Sequence, residues 1–267
     1  KSDGYPTYNF AHIIDDAEME ISHIIRGQEF LSSTPNYLNL YEALELQAPI
    51  IATVPHILGP DGKKKLSKRD GAKDVLDYLR DGFTVEALIN FIASLGWNDG
   101  TEQEIFSRQE LIEKFSLERV QKSGARFDEQ RLLWMNGWYI RELTLDDLFE
   151  RCKSFLPKTA AAYSEDYQRQ VVGLVQERLK YFAELPELTS FFFAEPVPNM
   201  ALISDNKQLK KLDKAELVSL LRQAITSLEA STFTVDDLTN RLNDLLVQTG
   251  QKPGILFSLV RVATTWA

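Results

Sequence analysis

Two short apolar runs separated by a helical pattern constrain the fold of this chain most strongly. Residues 22–26 (SHIIR) predict a buried strand that ends at Gly27, and residues 50–54 (IIATV) predict a second strand. Between them, Thr34 and Pro35 predict the start of a helix, because threonine caps helices and proline is favoured in the first turn. The apolar face of that helix would contain Tyr37, Leu38, Tyr41 and Leu44. A strand–helix–strand order favours a parallel sheet, which binds ligands beyond the carboxyl ends of its strands.

A cluster of basic residues follows the second predicted strand. Five of the eight residues 62–69 are Lys or Arg, although the whole chain has a net charge of −9. The preceding residues 59–62 (GPDG) predict a mobile turn. Lysine ammonium groups on such a turn suit a polyanion such as triphosphate. A solvated basic loop is the alternative, and the phosphate-binding loop motif does not fit because Lys64 stands where its second glycine should be.

Composition narrows the class of protein. The chain has 267 residues, enough for two or three domains, and its 44% hydrophobic and 26% charged residues are typical of a globular protein. The single cysteine, Cys152, excludes internal disulfides and cysteine-based zinc sites and is compatible with a reducing cytosol. It should be a buried, inert thiol. The negative net charge argues against nucleic-acid binding by the whole surface but permits a local RNA-binding patch.

Helix-start signals dominate the chain after residue 70. The pattern predicts N-terminal caps at Thr84, Ser107 and Asp128, followed by a small bundle with a tryptophan core. That core would contain Trp97, Trp134 and Trp138. Further helix starts are predicted at Thr144, Ser164, Asp213 and Thr234, and an apolar helix over residues 255–263.

Several of these segments resemble one enzyme family. Residues 65–69 (KLSKR) resemble the Lys-Met-Ser-Lys-Ser loop of class I aminoacyl-tRNA synthetases, and the arginine at the end of the motif resembles the glutamyl branch. Residues 3–11, 14–16 and 24–35 are similar to segments of bacterial glutamyl-tRNA synthetases, in the same order and spacing. The fold class implied is mainly α with an α/β part, containing the second half of a Rossmann-like catalytic domain.

The resemblance implies a reaction and its substrates. Enzymes of this family activate L-glutamate with ATP and Mg²⁺ to form glutamyl-adenylate. They then transfer the glutamyl group to the 3′ end of tRNA(Glu). The resemblance leaves open whether tRNA(Gln) is also a substrate. A cytoplasmic monomer without a protein-bound metal is expected. The glutamate-binding residues would be Tyr8, Asn9, Phe10, Ala11, His12 and Arg26. The ATP-binding residues would be Glu29, Leu58, Lys65, Leu66, Ser67, Lys68 and Arg69, with Lys65, Ser67 and Lys68 catalytic.

The resemblance also implies a domain order. Residues 1–70 would be the last part of the catalytic domain, 71–145 a helical stem-contact domain and 146–267 an all-helical anticodon-binding domain. Arg169, Arg178 and Arg261 could contact tRNA there, although each taken alone is better explained as a solvated surface residue.

One family motif is missing from this chain. The family's His-x-Gly-His motif has no counterpart here, because His12, His23 and His56 are each followed by Ile-Ile or Ile-Leu. We therefore expect the C-terminal portion of a longer polypeptide, inactive alone. A non-catalytic tRNA-binding fragment is the alternative.

Overall fold

The computed structural model describes residues 2–67 and 73–266. It divides into two compact units, Lys1–Glu142 and Leu143–Ala267. Most of the described chain is helical, with one small parallel sheet, so the predicted fold class is confirmed. The further division of the first unit at residue 70 stays a prediction.

The first unit begins with the predicted strand–helix–strand segment. Helix α1 (Tyr8–Glu18) precedes strand β1 (His23–Gly27), helix α2 (Thr34–Ala43) and strand β2 (Ile50–Val54). The strands pair in parallel, as predicted, with Gly27 opposite Val54 at their carboxyl ends. Ile13 of α1 packs against Tyr37 and Tyr41 of α2 in a small core. The two helices thus share one small core.

Burial in this segment was predicted less well than its elements. Strand β1 is not buried, as Ile25 is 52% exposed. The reason is that the sheet has only two strands among the described residues, so little covers its faces. Leu38 and Leu44 are also exposed, since α2 packs through Tyr37, Leu40 and Tyr41. The N-terminal cap of α2 is Ser33, one residue before the predicted position.

Short capped helices form the rest of the first unit. They are α3 (Val75–Arg80), α4 (Val85–Ser94), α5 (Arg108–Lys114) and α6 (Glu129–Arg141). The predicted caps are confirmed: Thr84, Ser107 and Asp128 each accept a hydrogen bond from a backbone amide in the first turn of their helix.

The predicted tryptophan core is wrong in part. Trp97 is buried, but Trp134 is 47% exposed and Trp138 is half-buried. Helix α6 buries Leu132, Met135, Asn136 and Ile140, which lie on one face at a spacing of three or four residues. Trp134 is two positions from Leu132 and therefore lies on the opposite side of the helix.

The second unit is built of helices throughout its described residues. They are α7 (Leu145–Cys152), α8 (Glu165–Val175), α9 (Leu185–Phe193), α10 (Ala201–Ser204), α11 (Lys214–Glu229), α12 (Val235–Thr249) and α13 (Pro253–Thr265). The predicted caps are confirmed: Thr144, Ser164, Asp213 and Thr234 accept from first-turn amides. No described helix is both long and apolar enough to cross a membrane.

Cys152 ends α7 in the core of this unit. The residue is fully buried, and burial raises the pKa of its thiol to about 12. The predicted burial of Cys152 is confirmed, and a thiol with so high a pKa is expected to be inert at neutral pH.

Candidate functional site

The two strands place the candidate site at one edge of the sheet. Because β1 and β2 are parallel, their carboxyl ends meet where Gly27 lies opposite Val54. Arg26 and Glu29 flank the end of β1, and His56 and the basic turn follow the end of β2. Side chains from both strand ends therefore converge at this edge, as expected for a parallel sheet.

Arg26 is held among aromatic rings. Its guanidinium donates a hydrogen bond to the Tyr8 hydroxyl. The guanidinium carbon also lies 4.9 Å from the centre of the Phe30 ring and 5.5 Å from the centre of the Tyr8 ring. Cation–π contacts of this kind orient the guanidinium without neutralising its charge. Arg26 has no salt bridge among the described residues, so its charge remains available to a carboxylate.

His12 serves the packing of this pocket. Its ring stacks on Tyr8 at 4.8 Å between centroids and meets Tyr37 edge-on at 4.6 Å. Its Nδ1 lies 2.8 Å from the Tyr8 carbonyl oxygen, one turn earlier in α1. Asn9 accepts a hydrogen bond from the Tyr37 hydroxyl at 3.2 Å. His12 and Asn9 thus fix the ring positions around Arg26.

The structure groups only some of the residues predicted to bind glutamate. His12 and Arg26 line one small cavity with Phe30, Thr34, Tyr37 and Tyr41, and Tyr8 bonds to Arg26 beside it. Phe10 is 41% exposed and neither it nor Ala11 lines that cavity, because they lie between Tyr8 and His12 on another side of α1. Tyr37 and Tyr41 were predicted only to lie on the apolar face of α2, and Phe30 was not predicted to be a site residue.

A carboxylate links the two strand ends. Glu29 Oε1 lies 3.0 Å from Lys65 Nζ, and Glu29 Oε2 lies 3.4 Å from His56 Nδ1. A backbone hydrogen bond from its own amide, and then the Lys65 ammonium, lower the pKa of Glu29. Glu29 is therefore ionised at neutral pH. Its carboxylate contacts Lys65 directly, so two of the predicted ATP-binding residues form an ion pair. His56 was not predicted at this position.

The turn that carries Lys65 is closed by backbone hydrogen bonds. The Gly59 amide donates to the Lys64 carbonyl at 2.8 Å. Asp61 accepts from the amides of Lys63 and Lys64, which lowers the pKa of its carboxyl. Gly62 has a φ of +66°, a conformation that side chains with a Cβ rarely adopt. The lysines of this turn are thus held on a defined backbone.

Leu58 anchors the base of the turn. Its amide donates to the Ala125 carbonyl at 2.8 Å, and its carbonyl accepts from the Phe127 amide at 2.8 Å. A Cβ on Gly124 would lie only 2.8 Å from the His56 carbonyl oxygen, so the two segments approach closely. A predicted contact of Leu58 with ATP therefore has to use its second carbonyl lone pair or its side chain.

The remaining predicted ATP-binding residues divide into two groups. Leu66 and Ser67 are half-buried, and the Leu66 amide donates to the Ile57 carbonyl at 2.8 Å. Lys68 and Arg69 lie outside the residues that the structure describes. In the described part of the chain, no group of three or more His, Cys, Asp or Glu side chains could hold a metal ion.

The three arginines predicted to contact tRNA differ in availability. Arg169 pairs with Asp146 and with Glu165, the latter at 3.0 Å, and its guanidinium carbon lies 4.7 Å from the Phe149 ring centre. Arg178 and Arg261 are exposed, with no ion pair in the described part of the second unit. Arg169 is therefore engaged within the unit, whereas the other two are available to a phosphate or base.

Comparison with known proteins identifies the family of this chain. The model of the family "tRNA synthetases class I (E and Q), catalytic domain" matches residues 1–134. The chain belongs to this family. An anticodon-binding domain model matches residues 147–265.

Individual relatives of this class I synthetase chain are also informative. It is 42% identical over 272 residues to a glutamate–tRNA ligase of Dehalococcoides mccartyi, covering 99% of the chain and 55% of the relative. It is 40% identical to the ligase of Chlorobaculum parvum, covering 99% and 54%. A glutamate tRNA ligase from Elizabethkingia meningosepticum, solved in complex with its amino acid, matches with a TM-score of 0.77 at 31% identity, covering 99% and 55%. The chain thus spans about half the length of the relatives that it matches.

Proposed function

We propose that this chain supplies part of the glutamate- and ATP-binding machinery of a glutamate–tRNA ligase. The observation that carries the proposal is the convergence of Arg26 and the Glu29–Lys65 pair at the carboxyl edge of one parallel sheet. A guanidinium suits a substrate carboxylate, and a lysine on a turn suits a triphosphate. Family membership and the names of its relatives support the same reaction.

In the proposed reaction, an oxygen of the glutamate α-carboxylate attacks the α-phosphorus of ATP. The bond from that phosphorus to the bridging oxygen breaks, and pyrophosphate leaves. A terminal ribose hydroxyl of tRNA(Glu) then attacks the activated carbonyl carbon and AMP leaves. The first step needs no general base, because the nucleophile is already a carboxylate. Mg²⁺ arrives with ATP and offsets phosphate charge.

Each side chain has a stated role in this proposal. The Arg26 guanidinium, oriented by Tyr8 and Phe30, binds the side-chain carboxylate of glutamate and disfavours the neutral amide of glutamine. The Lys65 ammonium leaves Glu29 and binds the triphosphate, and Ser67 and Lys68 make further contacts with the phosphates. Tyr8, Asn9 and His12 shape the pocket wall. The proposed enzyme acts in the cytoplasm as a monomer.

A chimera tests the proposal. We would replace the matching 55% of the D. mccartyi ligase with this chain and measure glutamate-dependent exchange of pyrophosphate into ATP. Charging assays with tRNA(Glu) and tRNA(Gln) would define the tRNA substrate. We expect exchange activity, and we expect Arg26→Gln to lower kcat/KM for glutamate at least about 10-fold, since a lost hydrogen bond to a charged group costs about 1.5–3 kcal/mol.

The control for this experiment is His23→Ala, an exposed residue at the start of the same strand. Its kinetic constants should match those of the parent chimera. A folded chimera without exchange activity, or an Arg26→Gln variant with unchanged kcat/KM, would contradict the proposed role.

The second candidate function is tRNA binding without activation. It is favoured by the anticodon-binding match over residues 147–265 and by the exposed guanidinium groups of Arg178 and Arg261. The double substitution of both arginines to alanine should weaken binding of tRNA(Glu) to the chain and flatten its salt dependence. Arg222→Ala, on exposed α11, is the matched control. Equal affinity and salt slope in both variants would remove these two arginines from the interface.

A further inference from the structure

A second cavity lies in the first unit, among α4, α5, α6 and the loop of residues 95–107. Its volume is about 1030 Å³, the upper end of the size range for small-molecule sites. It shares no lining residue with the cavity around Arg26. Neither the proposed reaction nor the proposed anticodon contacts use it.

Aromatic rings form much of its wall. Trp97, Phe106 and Trp134 all line the cavity. Trp97 and Phe106 pack edge-on at 5.9 Å between centroids and are both buried. Trp134, by contrast, is 47% exposed, although it lies on a well-packed helix. An exposed indole beside a cavity offers a flat surface on which a planar ring can stack.

Polar groups without partners lie beside these rings. The side-chain amide of Gln121 and the amide nitrogen of Asn98 have no hydrogen-bond partner among the described residues, although Asn98 Oδ1 accepts from the Gly100 amide at 3.0 Å. Trp97 Nε1 is buried and also lacks an acceptor in the described structure. A primary amide carries both donors and an acceptor, which is the pattern needed to recognise the edge of a heteroaromatic ring.

The charges of the lining argue against a bare anion. Glu102 is exposed and unpaired among the described residues, whereas Glu104 pairs with Arg131 at 3.0 Å. With Glu102, Glu104 and Arg131 the lining has an excess of one negative charge. A phosphate inside the cavity would be repelled, so a nucleotide would enter with its neutral base and keep its phosphate outside.

From these features we propose that the cavity binds a nucleobase. The base stacks on Trp134, and the amides of Asn98 and Gln121 bond to its edge. The base could come from a free nucleoside or from an unpaired nucleotide of an RNA, because both present the same ring.

Tryptophan indole NMR signals provide a direct test. The full chain, labelled with ¹⁵N at tryptophan, would be titrated separately with adenosine, guanosine, cytidine and uridine. We expect saturable shifts of the indole N–H signals of Trp97 and Trp134, with the Trp266 signal unchanged. Single Trp→Phe variants assign the signals. An unstructured oligonucleotide of five nucleotides forms the second arm and distinguishes an RNA source from a free nucleoside.

Substitutions link binding to the stacking surface. Trp134→Ala should weaken binding about 5- to 150-fold, because base–aromatic stacking is worth about 1–3 kcal/mol per base. Trp134→Phe should retain part of the affinity. Ile112→Ala is the matched control, since Ile112 is 63% exposed on α5 and does not line the cavity.

Each outcome decides the proposal. Shifts with nucleosides that Trp134→Ala weakens support a free-base site, and the same result with the oligonucleotide alone supports a base presented by RNA. Absence of Trp97 and Trp134 shifts in both arms would overturn the proposal. So would affinity that Trp134→Ala leaves unchanged while circular dichroism shows that the variant is folded.

Discussion

Asn136 joins two helices of the first unit through buried hydrogen bonds, and its removal should be costly. Its Oδ1 accepts from the Thr84 amide at 2.8 Å and from the Thr84 hydroxyl at 2.9 Å. Thr84 is 4% exposed and Asn136 is fully buried. The same Thr84 hydroxyl accepts from the Ala87 amide at 3.3 Å and so caps α4. One amide oxygen therefore fixes the start of α4 against the middle of α6.

The magnitude follows from the two donors that lose their acceptor. Each buried, unsatisfied donor costs about 1–3 kcal/mol, so the loss of one acceptor by two donors in Asn136→Ala should lower the free energy of unfolding by about 2–6 kcal/mol. For a unit of this size, 1 kcal/mol corresponds to about 3–5 °C in Tm, so Tm should fall by at least about 6 °C.

Urea unfolding followed by tryptophan fluorescence measures this effect. Three of the four tryptophans, Trp97, Trp134 and Trp138, belong to the first unit, so the signal reports mainly on it. Asn243→Ala, an exposed position on α12, is the control and should change stability by less than about 0.5 kcal/mol.

A double-mutant cycle with Thr84→Val sharpens the test. Because Thr84 and Asn136 are in direct contact, the two substitutions should be non-additive by about 0.5–3 kcal/mol. An Asn136→Ala variant as stable as the parent, or strictly additive effects in the cycle, would refute the reasoning.

Three further predictions concern single groups. In the chimera, Lys65→Ala should slow pyrophosphate exchange about 10²- to 10³-fold. The control is Lys63→Ala, which should leave exchange unchanged, because Lys63 is exposed and its ammonium has no ion pair among the described residues. An equal loss in both variants would contradict a specific role for Lys65. A backbone amide and the Arg241 guanidinium lower the pKa of Asp237 to about 2, below its usual 3.8, so its contribution to stability is present above pH 4 and is lost as pH falls towards 2. The urea midpoint of Asp237→Asn should therefore lie below that of the parent at pH 7, and the gap should close near pH 2. Cys152 should not react with a thiol reagent at pH 8 in the native chain but should react fully in urea; rapid native labelling would show that the site opens.

Helix starts could be predicted because their chemistry is local. At Ser107, the side chain accepts from the Glu110 amide and the Glu110 carboxylate accepts from the Ser107 amide, all within four residues. Parallel pairing of β1 and β2 also followed from the order of elements along the chain. Burial could not be predicted in the same way, since it depends on which neighbours cover a surface. Ile25 and Trp134 are apolar and nevertheless exposed for this reason.

The candidate site shows the same division. The family resemblance indicated Tyr8 and Arg26, and the structure brings them into contact. It did not indicate Phe30 beside the guanidinium, a contact within four residues of one strand end, or His56 beside Glu29, a contact that arises only when the two strand ends meet. The unpartnered amides beside Trp134 have no sequence signal at all, since nothing in a single Asn or Gln shows what surrounds it.

The close approach of Gly124 to the chain near Leu58 restricts how the basic turn can change during evolution. Both backbone groups of Leu58 are bonded to residues 125–127, immediately before Asp128 caps α6. An insertion or deletion at this base would shift the register of those bonds and displace the beginning of α6. At the tip, around Pro60, an added residue would extend into solvent and leave the bonds intact. Length variation among related chains should therefore concentrate at the tip of the turn and spare its base.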